Sequence, residues 1–284
     1  VIRGKINMGL RIATNIQSQS AQRSLGKVKA VQATTMEKLS SGNRINKAGD
    51  DAAGLAISEK LKSHIRGTQQ AKRNAGDGVS LIQTAEGGLN EVGNILVRLR
   101  ELSVQAASDT VGDQERAYTD MEFQNLTTEI ERIATSTTFN GKKLLAGEGD
   151  TMDFQIGIHN VEGNDRISYK PQDSSVRISD IGLDGLNVAS KTSAQDNLAV
   201  IDEAINNVNT NRASMGALQN RLQSTIRNLE VKTENMSAAN SRIRDTDVAS
   251  ATAELAKSNI LSSASTSVLS QANNSGQEAL RLIG

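Results

Sequence analysis

The sequence has no cysteine, no tryptophan and one proline, and aromatic residues make up only 2% of its 284 residues. Without cysteine the chain has neither disulfide bonds nor thiolate metal sites. The scarcity of aromatic residues argues against an ordinary rounded core, in which large rings supply much of the buried area. The composition therefore favours long helices that pack side by side through leucine, isoleucine, valine and alanine.

Charge of one sign and long apolar runs are also missing. The 32 lysine and arginine residues balance 32 aspartate and glutamate residues, so no strong field attracts nucleic acid or an anionic membrane. No stretch reaches the roughly 18 apolar residues of a membrane span, and no membrane insertion is expected. The N-terminal residues lack the apolar core of a secretory signal, so no cleaved signal peptide is expected either.

Residues suited to catalysis or metal binding are few. The only histidines, His64 and His159, do not stand in a metal-ligand spacing, and His64 is predicted to be a surface residue. The side chains of the adjacent Asp50 and Asp51 diverge, which favours helix capping over an acid–base pair. No Gly-Lys-Ser/Thr phosphate loop occurs. The sequence therefore predicts no catalytic residue, no metal site and no cofactor, and the protein is not expected to be an enzyme.

The strongest pattern that is present runs from Leu198 to Ile243. Its seam residues are spaced alternately three and four apart without a slip, as in a coiled coil. At about 1.5 Å per residue this helix would be about 70 Å long. Four polar residues occupy seam positions and are expected to fix the register of packing: Arg212, Gln219, Thr233 and Asn240.

Two more helices are predicted before this one. Leu55–Ser108 shows the same spacing, and after a turn at Thr110–Asp113 a third helix extends to about Thr137. Met152–Ile158 instead alternates apolar and polar residues, as a strand does. The predicted fold is mainly α, with long antiparallel helices in a coiled-coil-like bundle and a small β-region at about residues 139–188.

The two ends of the chain have a different character. Helices are predicted from Gly9 to Ser41 and from the capping residues Asp245 and Asp247 to near Ile283. Both are rich in serine, threonine, alanine and amide residues, and their apolar faces are thin, so each helix is marginal alone in water. We expect them to stay loose in the monomer and to order when many copies bury them together. Residues 1–7 do not share this character and are predicted to be an N-terminal extension.

Between the first two helices lies Leu39–Ile57, with the sequence LSSGNRINKAGDDAAGLAI. Glycine, serine, asparagine and aspartate interrupt the helical pattern there, which predicts a structured connector with a helix cap at Asp50 or Asp51. The candidate connector residues are Gly42, Arg44, Asn46, Asp50, Asp51 and Gly54.

Several stretches of the chain resemble the signature sequences of bacterial flagellins. The connector Leu39–Ile57 is one. The others are Leu81–Gln105 (LIQTAEGGLNEVGNILVRLRELSVQ), Thr138–Leu145 (TFNGKKLL), Ser237–Leu261 (SAANSRIRDTDVASATAELAKSNIL) and Ser265–Ala272 (STSVLSQA). They cover most of both helical ends of the chain. The protein is thus similar to a short flagellin without large outer domains.

This resemblance implies a subunit that polymerises into the extracellular flagellar filament, the helical propeller of swimming bacteria. Residues 8–41 and 245–284 would form the inner tube, and residues 42–244 the outer tube. The implied partners, besides copies of the chain itself, are a flagellar export chaperone, the type III export apparatus, the filament cap and the hook–filament junction proteins. The implied assembly residues are Ile12, Ile16, Leu25, Val28, Leu39, Val248, Leu255, Ile260, Leu261, Val268, Leu269 and Leu280.

A further partner implied by the resemblance is the vertebrate innate immune receptor for flagellin. The stretch that this receptor recognises in the family matches Arg98, Leu102 and Glu122 in this sequence. All three residue types of the family pattern are present.

Two alternative hypotheses about function remain besides the filament subunit. A hook–filament junction protein shares the terminal helices, although the continuous match through Arg98–Gln105 favours the filament protein. A coiled-coil signalling hairpin of chemoreceptor type has a similar composition, but it calls for a membrane span and a hairpin that is symmetric about its tip.

Overall fold

The structure, a computed structural model, describes residues 14–281 and the side chains of residues 14–274. The predicted N-terminal extension, residues 1–7, lies outside this range. The fold is mainly α, as predicted, with two small antiparallel sheets and a short 3-10 helix at Pro171–Ser174. Its helices are α1 (Ile16–Ser41), α2 (Ala52–Ala106), α3 (Asp113–Ser136), α4 (Lys191–Arg244) and α5 (Val248–Arg281).

The chain divides into two compact units. The terminal unit takes its described residues from 14–62 and 237–281, and the central unit is Ser63–Met236. The terminal unit thus contains α1, α5, the connectors and one end of both α2 and α4. The predicted division at residues 41/42 and 244/245 follows the ends of α1 and α4 instead.

The core of the central unit follows the predicted seams. On α4 the fully buried apolar residues recur every seven positions, and on α2 they form two such rows, which is the period of coiled-coil packing. Ion pairs of 2.6 Å join Lys72 to Glu230 and Arg100 to Asp202, so α2 and α4 run antiparallel. The rows are Ile201, Val208, Met215 and Leu222 on α4, and Ala75, Ile82, Leu89, Leu96 with Ala85, Val92, Leu99, Ala106 on α2.

The β-region belongs to this core. Strands β1 (Thr138–Phe139) and β2 (Lys142–Lys143) form a hairpin through Asn140 and Gly141. Both turn residues have positive φ, +49° and +78°, as an Asn-Gly turn requires. Strands β3 (Met152–Gln155) and β4 (Arg166–Tyr169) pair with Phe154 opposite Ile167. The segment contributes Leu144, Leu145, Ile167, Tyr169, Val176, Leu183 and Val188 to the buried core.

The glycines of α2 fall into two groups. A Cβ on Gly88 would lie 2.7 Å from Leu145 Cδ1 and 2.9 Å from Thr137 Oγ1, so a side chain does not fit. A Cβ on the neighbouring Gly87 would meet nothing within 4 Å. Gly88 therefore allows the β-region to approach the helix, whereas Gly87 has no such role within the chain.

These adjacent glycines give opposite predictions for alanine. Gly87→Ala should raise the free energy of unfolding by about 0.5–1 kcal/mol, because alanine loses less conformational entropy in a helix. Gly88→Ala should lower it by about 1–3 kcal/mol through overpacking against Leu145 and Thr137. Urea unfolding of the monomeric protein, followed by circular dichroism, measures both changes. The same sign for the two variants would contradict the packing described here.

Candidate assembly surface

The terminal helices α1 and α5 pack against each other. On each helix, one narrow stripe of residues is shielded from solvent. Within both helices the shielded residues recur three and four positions apart, as in a coiled coil. Alanine and serine make up five of the seven stripe residues on α5 and two of the seven on α1, so the two backbones approach closely and bury limited apolar surface. The stripes are Ser18, Ala21, Leu25, Val28, Gln32, Thr35 and Leu39 on α1, and Ala251, Leu255, Ser258, Ser262, Ser265, Leu269 and Ala272 on α5.

The backbone spacing agrees with these small side chains. Among the described helices, only α1 and α5 bring their Cα atoms within 8 Å of each other along their length. Larger apolar side chains, such as those in the seams of α2 and α4, hold helix backbones further apart.

Three side-chain hydrogen bonds fix the register of the pair. Asn15 Nδ2 donates to the carbonyl oxygen of Ala272 at 2.8 Å, and Ser18 Oγ donates to Asn273 Oδ1 at 2.7 Å. Further along the pair, Gln32 Nε2 donates to Asn259 Oδ1 at 2.7 Å. The hydrogen bond later in α1 joins a residue earlier in α5, so the two helices run antiparallel. Register thus depends on polar groups, whose net contribution is about 1 kcal/mol per bond.

Much of the apolar surface of the pair points away from it. Ile260 of α5 is 70% exposed. Leu261 and Val268, one heptad apart, line an open groove of about 670 Å³ between the two helices. The large apolar side chains left exposed on the pair are Ile16, Val31 and Met36 on α1, and Val248, Ile260, Leu261 and Val268 on α5. The groove at Leu261 and Val268, with its exposed apolar lining, is therefore the candidate contact site.

The predicted assembly residues separate into two groups. Five have exposed side chains: Ile16, Val248, Ile260, Leu261 and Val268. Five lie in the shielded stripes and are partly buried within the chain: Leu25, Val28, Leu39, Leu255 and Leu269. Ile12 and the side chain of Leu280 lie outside the described part of the structure. The apolar pattern of each helix does not by itself distinguish the two groups, because both are spaced as helix faces.

The connector at the end of α1 is built from backbone pairing. Gly42 ends the helix with a φ of +69°, a left-handed conformation that favours glycine. The amide of Thr246 donates to the Gly42 carbonyl at 2.9 Å, and the amide of Arg44 donates to the Arg244 carbonyl at 2.6 Å. The Arg44 guanidinium also donates to the Ile243 carbonyl, at 2.7 Å from Nη2. The two connectors therefore hold each other within the terminal unit.

The rest of this connector is a tight polar turn. Asp51 Oδ1 accepts from the Gly54 amide at 2.8 Å and caps the start of α2. A Cβ on Gly54 would lie 2.8 Å from Ile45 Cδ1, so this position requires glycine. Asp50 does not cap the helix. Its carboxylate accepts from the amides of Lys47 at 3.0 Å and Asn46 at 3.1 Å, which lowers the pKa of Asp50 below its ordinary value.

The start of α5 has the predicted cap. Asp247 Oδ1 accepts from the amides of Ala249 at 2.9 Å and Ser250 at 3.2 Å. Asp245 instead accepts a hydrogen bond from the Ser241 hydroxyl within the same unit.

The three residues matched to the immune-receptor stretch lie at different depths. Arg98 and Glu122 are exposed and joined by a 2.9 Å hydrogen bond from Arg98 Nε to Glu122 Oε1. Leu102 is only 2% exposed and belongs to the core. α2 thus turns the matched position Leu102 towards the core, whereas Arg98 and Glu122 face outwards.

An exposed apolar group on the central unit was missed by sequence reasoning. Val97 and Val104 are one heptad apart on α2, and Tyr118 and Met121 are one turn apart on α3, and all four side chains are exposed. The spacing of these residues was a usable signal, since each pair repeats on one helix face.

Two further observations concern chemistry and membranes. In the described part of the chain, no three or more histidine, cysteine, aspartate or glutamate side chains are placed to hold one metal ion. No helix of residues 14–281 combines the length and the apolar character needed to cross a bilayer.

The fold and this surface define a class of structural protein, a helical subunit whose paired termini expose an apolar contact surface. The bacterial flagellin N-terminal helical region matches residues 12–150, and the bacterial flagellin C-terminal helical region matches residues 198–283. The chain belongs to the bacterial flagellin family. Members of this family are structural subunits of the flagellar filament, and the predicted class of protein is confirmed.

Relatives match almost from end to end. The chain is 46% identical over 269 residues to a flagellin of Halalkalibacterium halodurans, covering 95% of this chain and 98% of that protein. It is 44% identical to a flagellin of Bacillus subtilis, covering 96% and 100%. A 30.7 kDa flagellar filament core protein of Treponema maltophilum is 41% identical, covering 95% and 98%.

Solved structures share the fold. The crystal structure of Bacillus cereus flagellin is similar with a TM-score of 0.50 and 30% identity, covering 59% of this chain and 94% of that one. A putative flagellar hook-associated protein of Vibrio parahaemolyticus is similar with a TM-score of 0.58 and 15% identity, covering 69% and 100%. At that identity the second similarity concerns the fold alone.

The connector turn should respond to acid through Asp50. A lowered pKa in the folded state means that the carboxylate stabilises the turn above its unfolded pKa of about 4 and ceases to do so as the pH falls through the folded value. The amide resonances of Asn46 and Lys47, followed by NMR from neutral pH downwards, should shift together below about pH 4.

Asp50→Asn is the matched variant for this titration. It keeps an oxygen acceptor but has no charge to lose, so the joint shift of the two amides should be absent. Persistence of the shift in this variant would assign the transition to another group.

Proposed function

We propose that this protein polymerises through its terminal helices into the inner layer of a flagellar filament, with residues 8–41 and 245–284 forming that layer. Residues 42–244 form the outer layer. The observation that carries this proposal is the exposed apolar surface of the α1–α5 pair, with its groove at Leu261 and Val268. The exposed members of the predicted assembly residues supply the contacts between copies.

The distribution of these residues suits an open polymer. The groove lies between α1 and α5, whereas Ile16, Val31 and Met36 expose apolar surface on α1. A contact between unlike surfaces of identical subunits does not close on itself when the rotation leaves the ring open, and it then extends as a helix. Each large apolar side chain contributes about 1.5–3 kcal/mol when fully buried.

The same surface accounts for ordering on assembly. The stripes that join α1 to α5 contain few large apolar residues, so the pair alone gains little from burial. Neighbouring copies would bury the exposed residues and stabilise both helices at once. The termini therefore remain loose before assembly, which suppresses polymerisation inside the cell.

The five shielded residues of the predicted list act within the subunit. Leu25, Val28 and Leu39 of α1 and Leu255 and Leu269 of α5 lie in the shielded stripes and hold each copy in the conformation that its neighbours contact. The four exposed residues of the central unit, Val97, Val104, Tyr118 and Met121, serve contacts between copies in the outer layer.

The protein acts as structural material outside the cell and has no catalytic role. It leaves the cell through the type III export apparatus and with a flagellar export chaperone. It adds to the growing end beneath the filament cap, and the first copies contact the hook–filament junction proteins. These partners follow from family membership rather than from a particular contact surface.

The immune-receptor surface is proposed to centre on Arg98 and Glu122. Their hydrogen bond links exposed side chains of α2 and α3 and holds a pair of opposite charges at the surface. Leu102 supports this position from the core and makes no contact itself.

A pair of valines tests the assembly surface. Val268, in the α1–α5 groove, and Val161, in the segment between β3 and β4, are similarly exposed at 57% and 51%. Val268→Ser should raise the critical concentration for growth from filament seeds about tenfold, which corresponds to about 1.4 kcal/mol of lost burial. Val161→Ser should leave it unchanged. Sedimentation and negative-stain electron microscopy measure both.

Circular dichroism of the unassembled variants serves as the folding control. If Val268→Ser grows filaments at the wild-type concentration while folding normally, the groove does not carry the contact between copies. A loss of growth in Val161→Ser alone would move that contact to the central unit.

A further inference from the structure

The two histidines of the chain meet in the central unit. His64 lies on α2, and His159 follows β3. The two residues are 95 positions apart in the sequence. Their ring centroids are 6.0 Å apart, with an angle of 82° between the ring planes. His64 is partly buried and His159 is exposed. The fold therefore brings together two imidazoles whose sequence spacing showed no relation.

The backbone that carries His159 is held in place next to α2. Asn74 Nδ2 donates to the Gln155 carbonyl at 3.0 Å, which ties the end of β3 to the helix. Gln155 Nε2 in turn donates to the carbonyls of Gly157 at 2.9 Å and His159 at 2.7 Å. These bonds fix the segment by groups other than the two imidazoles.

The segment also approaches α2 unusually closely. A Cβ on Gly67, three residues after His64, would lie 2.9 Å from Ile158 Cγ2. A side chain at position 67 would therefore collide with Ile158, the residue before His159. The two rings border an open groove of about 390 Å³ that is lined also by Ser63, Gln70 and Asn74. This space is polar and accessible to water and to dissolved ions.

We propose that His64 and His159 together bind one divalent transition-metal ion of the imidazole-preferring kind, such as Zn²⁺, Ni²⁺ or Cu²⁺. Metal–nitrogen distances of about 2.0–2.1 Å place the centroids of two imidazoles on one ion about 5–6 Å apart. The observed separation lies at the upper end of this range. The angle of 82° between the ring planes is compatible with a shared ion, because one nitrogen of each ring, and not the ring plane, must point at the ion.

The protein supplies two ligands, and water completes the coordination. The described chain holds no cluster of three or more histidine, cysteine, aspartate or glutamate side chains that would add a third. A bound ion would link α2 to the segment after β3 by a second route, besides the amide hydrogen bonds of Asn74 and Gln155. It would thus stabilise the central unit by an amount that grows with the logarithm of the ion concentration once that exceeds the dissociation constant.

The test is a titration of the full-length monomeric protein with ZnCl₂ and NiCl₂ by isothermal calorimetry in a buffer without chelating groups. We expect one ion per chain, with the ring resonances of both histidines shifting together in parallel NMR spectra. His64→Gln and His159→Gln should each weaken binding about tenfold or more, because one imidazole then holds the ion with water alone. Because the chain has no other histidine and no cysteine, histidine-dependent binding can arise only at this pair.

Ser63→Ala is the matched control. It changes the same groove next to His64 without removing an imidazole, and binding should remain at the wild-type level. Circular dichroism of the ion-free variants verifies that each one folds. The proposal is overturned if either histidine variant binds as tightly as the wild type, or if no binding appears up to millimolar ion.

Discussion

The structure of this flagellin depends on how weakly α1 and α5 hold each other. Their facing stripes combine five leucine and valine residues with nine small or polar ones, so the helices lie close and bury limited apolar surface. Three side-chain hydrogen bonds then set the register. The larger apolar residues, such as Ile260 and Val268, face away from the pair. A helix pair with this distribution has its main source of stabilisation outside the subunit, which is what a polymer building block requires.

The central unit, in contrast, buries its large apolar residues within the subunit. Its seams place fully buried leucine, isoleucine and valine every seven residues on α2 and α4, and the β-region completes the same core. Gly88 allows Thr137 and Leu145 to reach the helix. This unit therefore has a source of stability that does not depend on other copies. Under the proposed function, such a chain would keep one part folded through its own core while the other part orders on assembly. The proposed ion site at His64 and His159 would act on the first part only.

Sequence reasoning predicted the helices well because heptad spacing is a local property. The end of α4 and the cap at Asp247 followed from nearby residues, whereas α4 begins seven residues before the predicted Leu198. Site residues were harder to predict. Leu102 matches a surface stretch of the family, yet α2 turns it into the core. Asp50 and Asp51 were equivalent in the sequence, and only the turn geometry decided which of them caps α2.

The sequence by itself determined the mainly α fold, the antiparallel seams, the position of the β-region and the membership in the flagellin family. These properties rest on periodicity and on short motifs, which a single chain displays without its partners. Only the tertiary structure decided which apolar face of α1 and of α5 is covered and which is left open. Both faces have helical spacing, and the choice depends on a partner more than 200 residues away in sequence. The meeting of His64 and His159 was decided in the same way, since it depends on how residues 155–159 return to α2.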